Sequence, residues 1–145
     1  MANLTNVAAV PEPNRLENFP VSFFGMTMGL FGLTLALRAG EWPVASAAAG
    51  WTALAVLVLL SVLYTAKAVR HRAAVAAEWN HPVRLAFFPA ISISVLLLAT
   101  FVRDFAPGPA EVVWGIGALV QGGLTLVVVT TWISHRAFGP GQLSP

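Results

Sequence analysis

Cysteine is absent from this sequence, and charged residues are scarce. The missing cysteine excludes disulfide bonds and thiolate metal sites, although it does not indicate a cellular compartment. Charged side chains make up 10% of the 145 residues, whereas a typical soluble domain carries about 25%. The mean hydropathy is +0.76, so the chain cannot cover a water-exposed surface with charge. Its Lys and Arg residues are scattered over short segments, which does not suit a nucleic-acid-binding surface.

Catalytic sequence patterns are missing as well. We find no nucleophile elbow, phosphate loop, zinc signature or dinucleotide fingerprint, so neither an enzymatic activity nor a cofactor is predicted. Glu78 and His81 have the three-residue spacing of a carboxylate-bridged metal site. Such a site needs a second Glu-x-x-His from a facing helix, which this chain does not offer, so no metal site is predicted.

Long uncharged stretches dominate what the sequence does contain. They cover residues 19–37, 42–66, 85–102 and 112–134. A helix that crosses a membrane needs about 20 such residues, and barrel strands show short alternating patterns instead. The sequence therefore predicts an all-α protein: a polytopic transmembrane helix bundle of four spans, arranged as two helical hairpins in a lipid bilayer.

The segments between the spans carry turn and connector signals. Residues 1–18 predict a flexible polar tail, and residues 72–81 a polar connector with some helical character. Gly40 suits the end of the first span, and Pro43 suits the first turn of the second. Residues 106–110, with two prolines and a glycine, predict a tight loop before the fourth span.

The basic residues predict the orientation of the spans. One side of the predicted bundle holds six Lys and Arg residues, namely Arg15, Lys67, Arg70, Arg72, Arg84 and Arg136. The other side holds Arg38 and Arg103. By the positive-inside rule, both termini are expected in the cytoplasm.

Small residues form a stripe on each of two spans. Ser22, Gly25, Gly29, Gly32 and Ala36 share one face of the first span, and Gly115, Ala118, Gly122 and Thr125 share one face of the fourth. Small residues allow helices to pack closely, and we expect packing for the fourth span. For the first span, helix packing and the lining of a narrow pore are equally compatible with the pattern.

Pro89 lies inside the third predicted span. Its ring removes one backbone donor, so we expect a kink and a carbonyl at Leu85 that a neighbouring helix or a watery cavity must satisfy. Gln121 is the most polar side chain within the predicted spans, and we expect it to hydrogen-bond between helices. No ionisable residue falls within the uncharged stretches, which argues against proton coupling.

Three segments resemble a known family of membrane proteins. They are LENFPVSFFGMTMGLFGLTLAL from Leu16, EWNHPVRLAFFPAISISVLLLA from Glu78, and FGPGQLSP from Phe138. Together they resemble the first span, the third span and the connector before the fifth span of the slow anion channel and tellurite-resistance dicarboxylate transporter family. The resemblance covers most of the chain from Leu16 onward.

The resemblance implies ten helices in five hairpins around a central pore, with proline-kinked odd-numbered helices lining it. It also implies trimers in which each protomer has its own pore. The implied pore-lining residues are Ser22, Gly25, Gly29, Gly32, Pro89 and Ser92. The family has ten spans and this chain has four predicted ones, so we expect residues 135–145 to lead toward a fifth span. We therefore expect a longer chain or a second chain to complete the pore.

The leading functional prediction is an anion channel or transporter in the plasma membrane. It would move small inorganic anions or C4-dicarboxylates through a helix-lined pore, with this chain as its N-terminal portion. One alternative is a non-conducting membrane subunit that packs against partner helices. The other is a proton-coupled carrier of dicarboxylate, sulfite or tellurite.

Overall fold

The computed structural model describes residues 15–134, which form helices joined by short turns. A single 3-10 turn, Val21–Phe23, leads into the first helix. The α-helices in chain order are α1 Phe24–Ala39, α2 Pro43–Arg70, α3 Arg72–Trp79, α4 Pro82–Leu85, α5 Pro89–Val102 and α6 Pro107–Ile133. The predicted connector at residues 135–145, with Arg136, and most of the predicted tail lie outside the described residues.

Among the described residues, four helical segments are long and apolar enough to cross a membrane, which confirms the predicted all-α membrane bundle. They are Val21–Ala39, Pro43–Arg70, Pro82–Val102 and Pro107–Ile133. Each differs by a few residues from the uncharged stretch that predicted it. The second extends past that stretch to include Lys67 and Arg70, because a helix can continue beyond the hydrocarbon region while its charged side chains find partners or water.

Side-chain contacts show that α1 and α2 form an antiparallel hairpin. Near one end, the rings of Phe24 and Tyr64 meet edge to face with their centroids 5.8 Å apart. Near the other end, the Ser46 hydroxyl donates to the Thr34 carbonyl oxygen at 2.9 Å. The start of α1 thus contacts the later part of α2, and the later part of α1 contacts the start of α2. The two helices therefore run antiparallel, side by side, for most of the length of α1.

The second hairpin, α5 with α6, packs beside the first through α5. The Ser92 hydroxyl of α5 contacts Gln121 of α6, and the hydroxyls of Thr27 and Ser94 join α1 to α5. α1 and α5 therefore lie side by side and parallel, each with its own hairpin partner. Because the four spans alternate in direction, residues 15 and 134 lie at the same end of the bundle. Their cytoplasmic location stays a prediction.

A close aromatic contact joins α2 to the end of α5. The ring of Phe101 is almost fully buried, and a Cβ atom added at Gly50 would overlap it. Trp51 meets the same ring edge to face, with centroids 5.7 Å apart, and Phe105 meets it at 5.6 Å. Gly50 thus leaves the space that lets this aromatic cluster close against α2.

The two turns between paired spans differ in how well the sequence predicted them. Gly40 follows the last residue of α1 and Pro43 lies in the first turn of α2, as predicted. The left-handed residue of this turn is Glu41, with φ 62°. The predicted loop at residues 106–110 is wrong, because α6 already begins at Pro107. Proline fits a first helical turn, where its missing N–H would have had no partner.

Candidate functional site

The outer face of α1 carries the small residues that the sequence singled out. Gly29 and Gly32 are exposed, and Ser22 and Gly25 are half-buried. Within the described chain, a Cβ atom added at any of these three glycines would meet no neighbouring heavy atom within 4 Å. α1 buries the opposite face, which includes Thr27. The small-residue face is therefore an open strip of backbone that α2 and α5 leave uncovered.

Pro89 interrupts the third span where the sequence predicted a kink. Residues 86–88 form a turn between α4 and α5, and Pro89 stands in the first turn of α5. The expected need for an outside partner at Leu85 is wrong, because the Phe88 N–H donates to the Leu85 carbonyl oxygen at 3.2 Å. The chain satisfies that carbonyl locally by tightening into a turn before Pro89.

Ser92 lies between α5 and α6. Its side chain is buried and its hydroxyl donates to Gln121 Oε1 at 2.6 Å. The Gln121 amide nitrogen in turn donates to the Thr125 hydroxyl at 3.2 Å. This pairing confirms that Gln121 hydrogen-bonds between helices. Ser92 therefore faces α6 within the described chain, and its lining of a pore stays a prediction.

The small residues of α6 have few neighbours in the described part of the chain. Gly115 and Ala118 are half-buried, and Gly122 and Thr125 are exposed. The glycine that α6 uses to approach α5 is Gly117, where an added Cβ would lie 3.1 Å from Leu96 Cδ2. Packing of this stripe against another helix stays a prediction, and it concerns helices outside the described residues.

A buried hydroxyl pair fixes α1 against α5. The Thr27 and Ser94 hydroxyl oxygens lie 2.7 Å apart, and both side chains are fully buried. Thr27 also lies within hydrogen-bond distance of the Phe24 carbonyl, and Ser94 of the Ala90 carbonyl. This pair could not be predicted from the sequence, because each hydroxyl could equally have bonded to its own helix alone.

A buried ion pair lies at the end of the bundle where α1 begins. Lys67 Nζ lies 2.8 Å from Glu78 Oε1, and the two side chains are 1% and 3% exposed. The Tyr64 hydroxyl donates to Glu78 Oε2 at 2.9 Å, and Lys67 Nζ donates to the Phe19 carbonyl oxygen at 2.7 Å. From the sequence, Lys67 contributed only to the predicted orientation of the spans. The sequence contained one indication that Tyr64 and Lys67 share a partner: their three-residue spacing places them on one face of a helix.

An open cleft of about 300 Å³ lies beside this ion pair. Its walls come from the residues before and within the 3-10 turn, from α3, and from the segment that begins the third span. The lining includes Ser22, Lys67, Ala77, Glu78, Arg84 and Phe87. Ser22, in the 3-10 turn that leads into α1, thus lines this cleft and begins the small-residue stripe that continues along α1. The cleft has both charged and apolar lining residues and lies at the end of the bundle where α1 begins.

Comparison with known proteins identifies the family. The model of the SLAC1 family, described as voltage-dependent anion channel, matches residues 18–145. The chain belongs to this family. It is 34% identical over 107 residues to the tellurite resistance protein TehA homolog of Haemophilus influenzae, covering 70% of this chain and 33% of that protein. It is 33% identical over 94 residues to the S-type anion channel SLAH2 of Arabidopsis thaliana, covering 58% of this chain and 18% of that protein.

This SLAC1-family chain therefore spans about a third or less of the length of these curated relatives. Its charged contacts lie near the two ends of the helix bundle. Lys67 and Glu78 pair at the end where α1 begins, and Arg38 and Asp104 pair at the end where α1 and α5 finish. Between these ends, the α1 face is lined by small residues without charge.

Proposed function

We propose that this chain forms the pore-lining N-terminal part of a plasma-membrane anion channel or transporter. It would move small inorganic anions or C4-dicarboxylates along the faces of the first and third spans. The observation that carries the proposal is the open face of Gly25, Gly29 and Gly32 in a chain of an anion channel family. The named relatives, an anion channel and a tellurite resistance protein, support the same class of function.

The proposed mechanism depends on pore width and on backbone dipoles. The small residues of α1 leave room for a narrow path, and the 3-10 turn that leads into α1 lies at the positive end of the helix dipole, beside the cleft. A monovalent anion gains about 2.3 kcal/mol on leaving a cell held at about −100 mV. Passive efflux therefore needs no titratable group in the middle of the spans. We propose a trimer of such pores, completed by the remaining helices of a longer protein or by a second chain.

The direct test is anion flux through the complete protein in liposomes. We expect chloride or nitrate to move down an imposed membrane potential without a proton gradient. If the vesicles stay tight to both anions, and malate uptake requires a proton gradient, the protein is a coupled carrier and the channel proposal fails.

A substitution at Gly29 separates the pore from the alternative of a non-conducting subunit. Gly29→Phe places a large ring on the open face of α1 and should reduce flux severely while the complex still assembles. Gly123→Phe is the matched control, because Gly123 is equally open but lies on α6, away from the proposed path. If Gly29→Phe instead dissociates the complex, the α1 face is an interface between helices.

A further inference from the structure

The Lys67–Glu78 pair joins three segments of the chain at one point. Lys67 belongs to the end of α2, Glu78 to α3, and the Phe19 carbonyl to the residues that enter the first span. Lys67 Nζ contacts both of the others, at 2.8 Å and 2.7 Å. Tyr64 holds the second carboxylate oxygen of Glu78, so neither oxygen of that buried carboxylate is left without a partner.

Stability alone is a poor explanation for this arrangement. Burying two charges carries a desolvation cost that can exceed the gain from their attraction. Proteins in which apolar residues replace a buried ion pair are often as stable as the parent protein. A buried pair does, however, fix the geometry of the segments that carry it, because either charge left alone would be strongly unfavourable. The position of this pair is therefore more informative than its contribution to the free energy of folding.

Both members of the pair line the cleft that leads to Ser22. One wall of the cleft is the segment that contains Phe19 and Pro20, and another is α3 with Ala77 and Glu78. Lys67 bonds to both walls at once. Lys67 is therefore a direct polar link between the two walls, beside the approach of Glu17 Oε2 to His71 Nδ1 at 3.9 Å.

We propose that Lys67 and Glu78 are positioning residues that hold the mouth of the anion path at a fixed width. Lys67 ties the start of the first span to α3, and Glu78 and Tyr64 keep the ammonium group in place. That the path carries anions rests on the proposed function, but the width of the cleft mouth can be tested without measuring flux. Loss of the Lys67 link should widen the cleft and expose Ser22.

The test measures access to Ser22 in the complete protein. The chain has no cysteine, so Ser22→Cys, with any cysteines of the remaining protein replaced, provides a single thiol. We expect a bulky thiol reagent to label it several-fold faster when Lys67→Met is added. Arg70→Met is the matched control, since it removes one exposed positive charge from the same last turn of α2 and should leave the labelling rate unchanged.

Two further variants keep the test decisive if Lys67→Met does not fold. Lys67→Met with Glu78→Leu removes both charges, so no uncompensated charge remains, but it still loses the bond to the Phe19 carbonyl. Lys67→Glu with Glu78→Lys preserves an ion pair but places an acceptor where that carbonyl needs a donor. Both should label several-fold faster than the parent. Parental labelling in a monodisperse double variant would overturn the proposal.

Flux measurements on the same variants, with Ser22 intact, connect the mouth to transport. We expect the permeability of a large organic anion relative to chloride to rise in Lys67→Met and to stay unchanged in Arg70→Met. If no variant and not even the parent conducts, the proposed function fails, while the labelling rates still decide whether Lys67 sets the width of the cleft.

Discussion

The glycines of this protein differ in what a side chain at each position would meet. At Gly50 an added Cβ would overlap the buried ring of Phe101, and at Gly117 it would press on Leu96. At Gly29 it would meet nothing in the described structure. Glycine in a helix costs about 1 kcal/mol relative to alanine, so its presence needs a reason. At Gly50 and Gly117 the reason is close packing, and at Gly29 we propose that it is the pore.

Alanine substitutions should separate these two kinds of glycine. We expect Gly50→Ala to lower the free energy of unfolding by about 1–3 kcal/mol, the usual cost of overpacking a filled site. Its matched control, Gly29→Ala, gains helix propensity without a clash and should be neutral or stabilising. Denaturant titration in detergent micelles measures both. Equal effects of the two substitutions would contradict the packing argument.

At the scale of helices, polar contacts decide how the two hairpins meet. Within the described residues, the Thr27–Ser94 pair is a fully buried hydroxyl–hydroxyl contact between α1 and α5, and Ser92–Gln121 plays the same role between α5 and α6. Lipid offers no hydrophobic force to hold apolar helices together, so such contacts and close packing fix which faces meet. The rotation of α1 that leaves its glycines uncovered depends in part on Thr27.

A double-mutant cycle measures the coupling between α1 and α5. We expect Thr27→Val and Ser94→Ala to be non-additive, with a coupling of about 0.6 kcal/mol and no more than about 1.7 kcal/mol, as found for hydrogen bonds between membrane helices. Thr52→Val is the control, because in the described part of the chain the exposed Thr52 hydroxyl donates to the Ala48 carbonyl of its own helix, α2. A cycle of Thr52→Val with Ser94→Ala should be additive, and non-additivity there would undermine the interpretation.

At the scale of the whole molecule, the distribution of charge between the two ends of the bundle predicts its direction in the membrane. The end that holds Lys67, Arg70, Arg72 and Arg84 is more basic than the end that holds Arg38 and Arg103. Basic loops are retained on the cytoplasmic side during insertion. We therefore expect α3 and the Ser22 cleft to face the cytoplasm, where an anion leaving the cell would enter.

Single-cysteine labelling in intact cells tests this orientation. Glu41→Cys, in the turn between α1 and α2, should react with a membrane-impermeant thiol reagent added outside. Ala73→Cys, on the exposed side of α3, should react only after the membrane is permeabilised. Gly123→Cys, in the middle of α6, serves as the lipid-embedded control and should stay unlabelled. The reverse pattern for the first two positions would invert the proposed topology.

The sequence by itself determined the four spans, their pairing into hairpins and the hydrogen-bonding character of Gln121. Lipid cannot bond to a bare backbone, so an uncharged stretch of sufficient length has to become a helix, and short connections make neighbours antiparallel. The same reasoning failed at residues 106–110, where proline and glycine signalled a loop although Pro107 opens α6. Those residues are compatible with both roles, and local composition does not distinguish them.

Only the tertiary structure decided which faces meet. Periodicity showed that Gly115, Ala118 and Gly122 share a face, but the glycine that lies against α5 is Gly117. It likewise did not pair Lys67 with Glu78 or Thr27 with Ser94. Spacing along a helix fixes which residues lie together, whereas the rotation of each helix depends on the shapes and polar groups of its neighbours. The open glycine face and the cleft at Ser22 are consequences of that rotation.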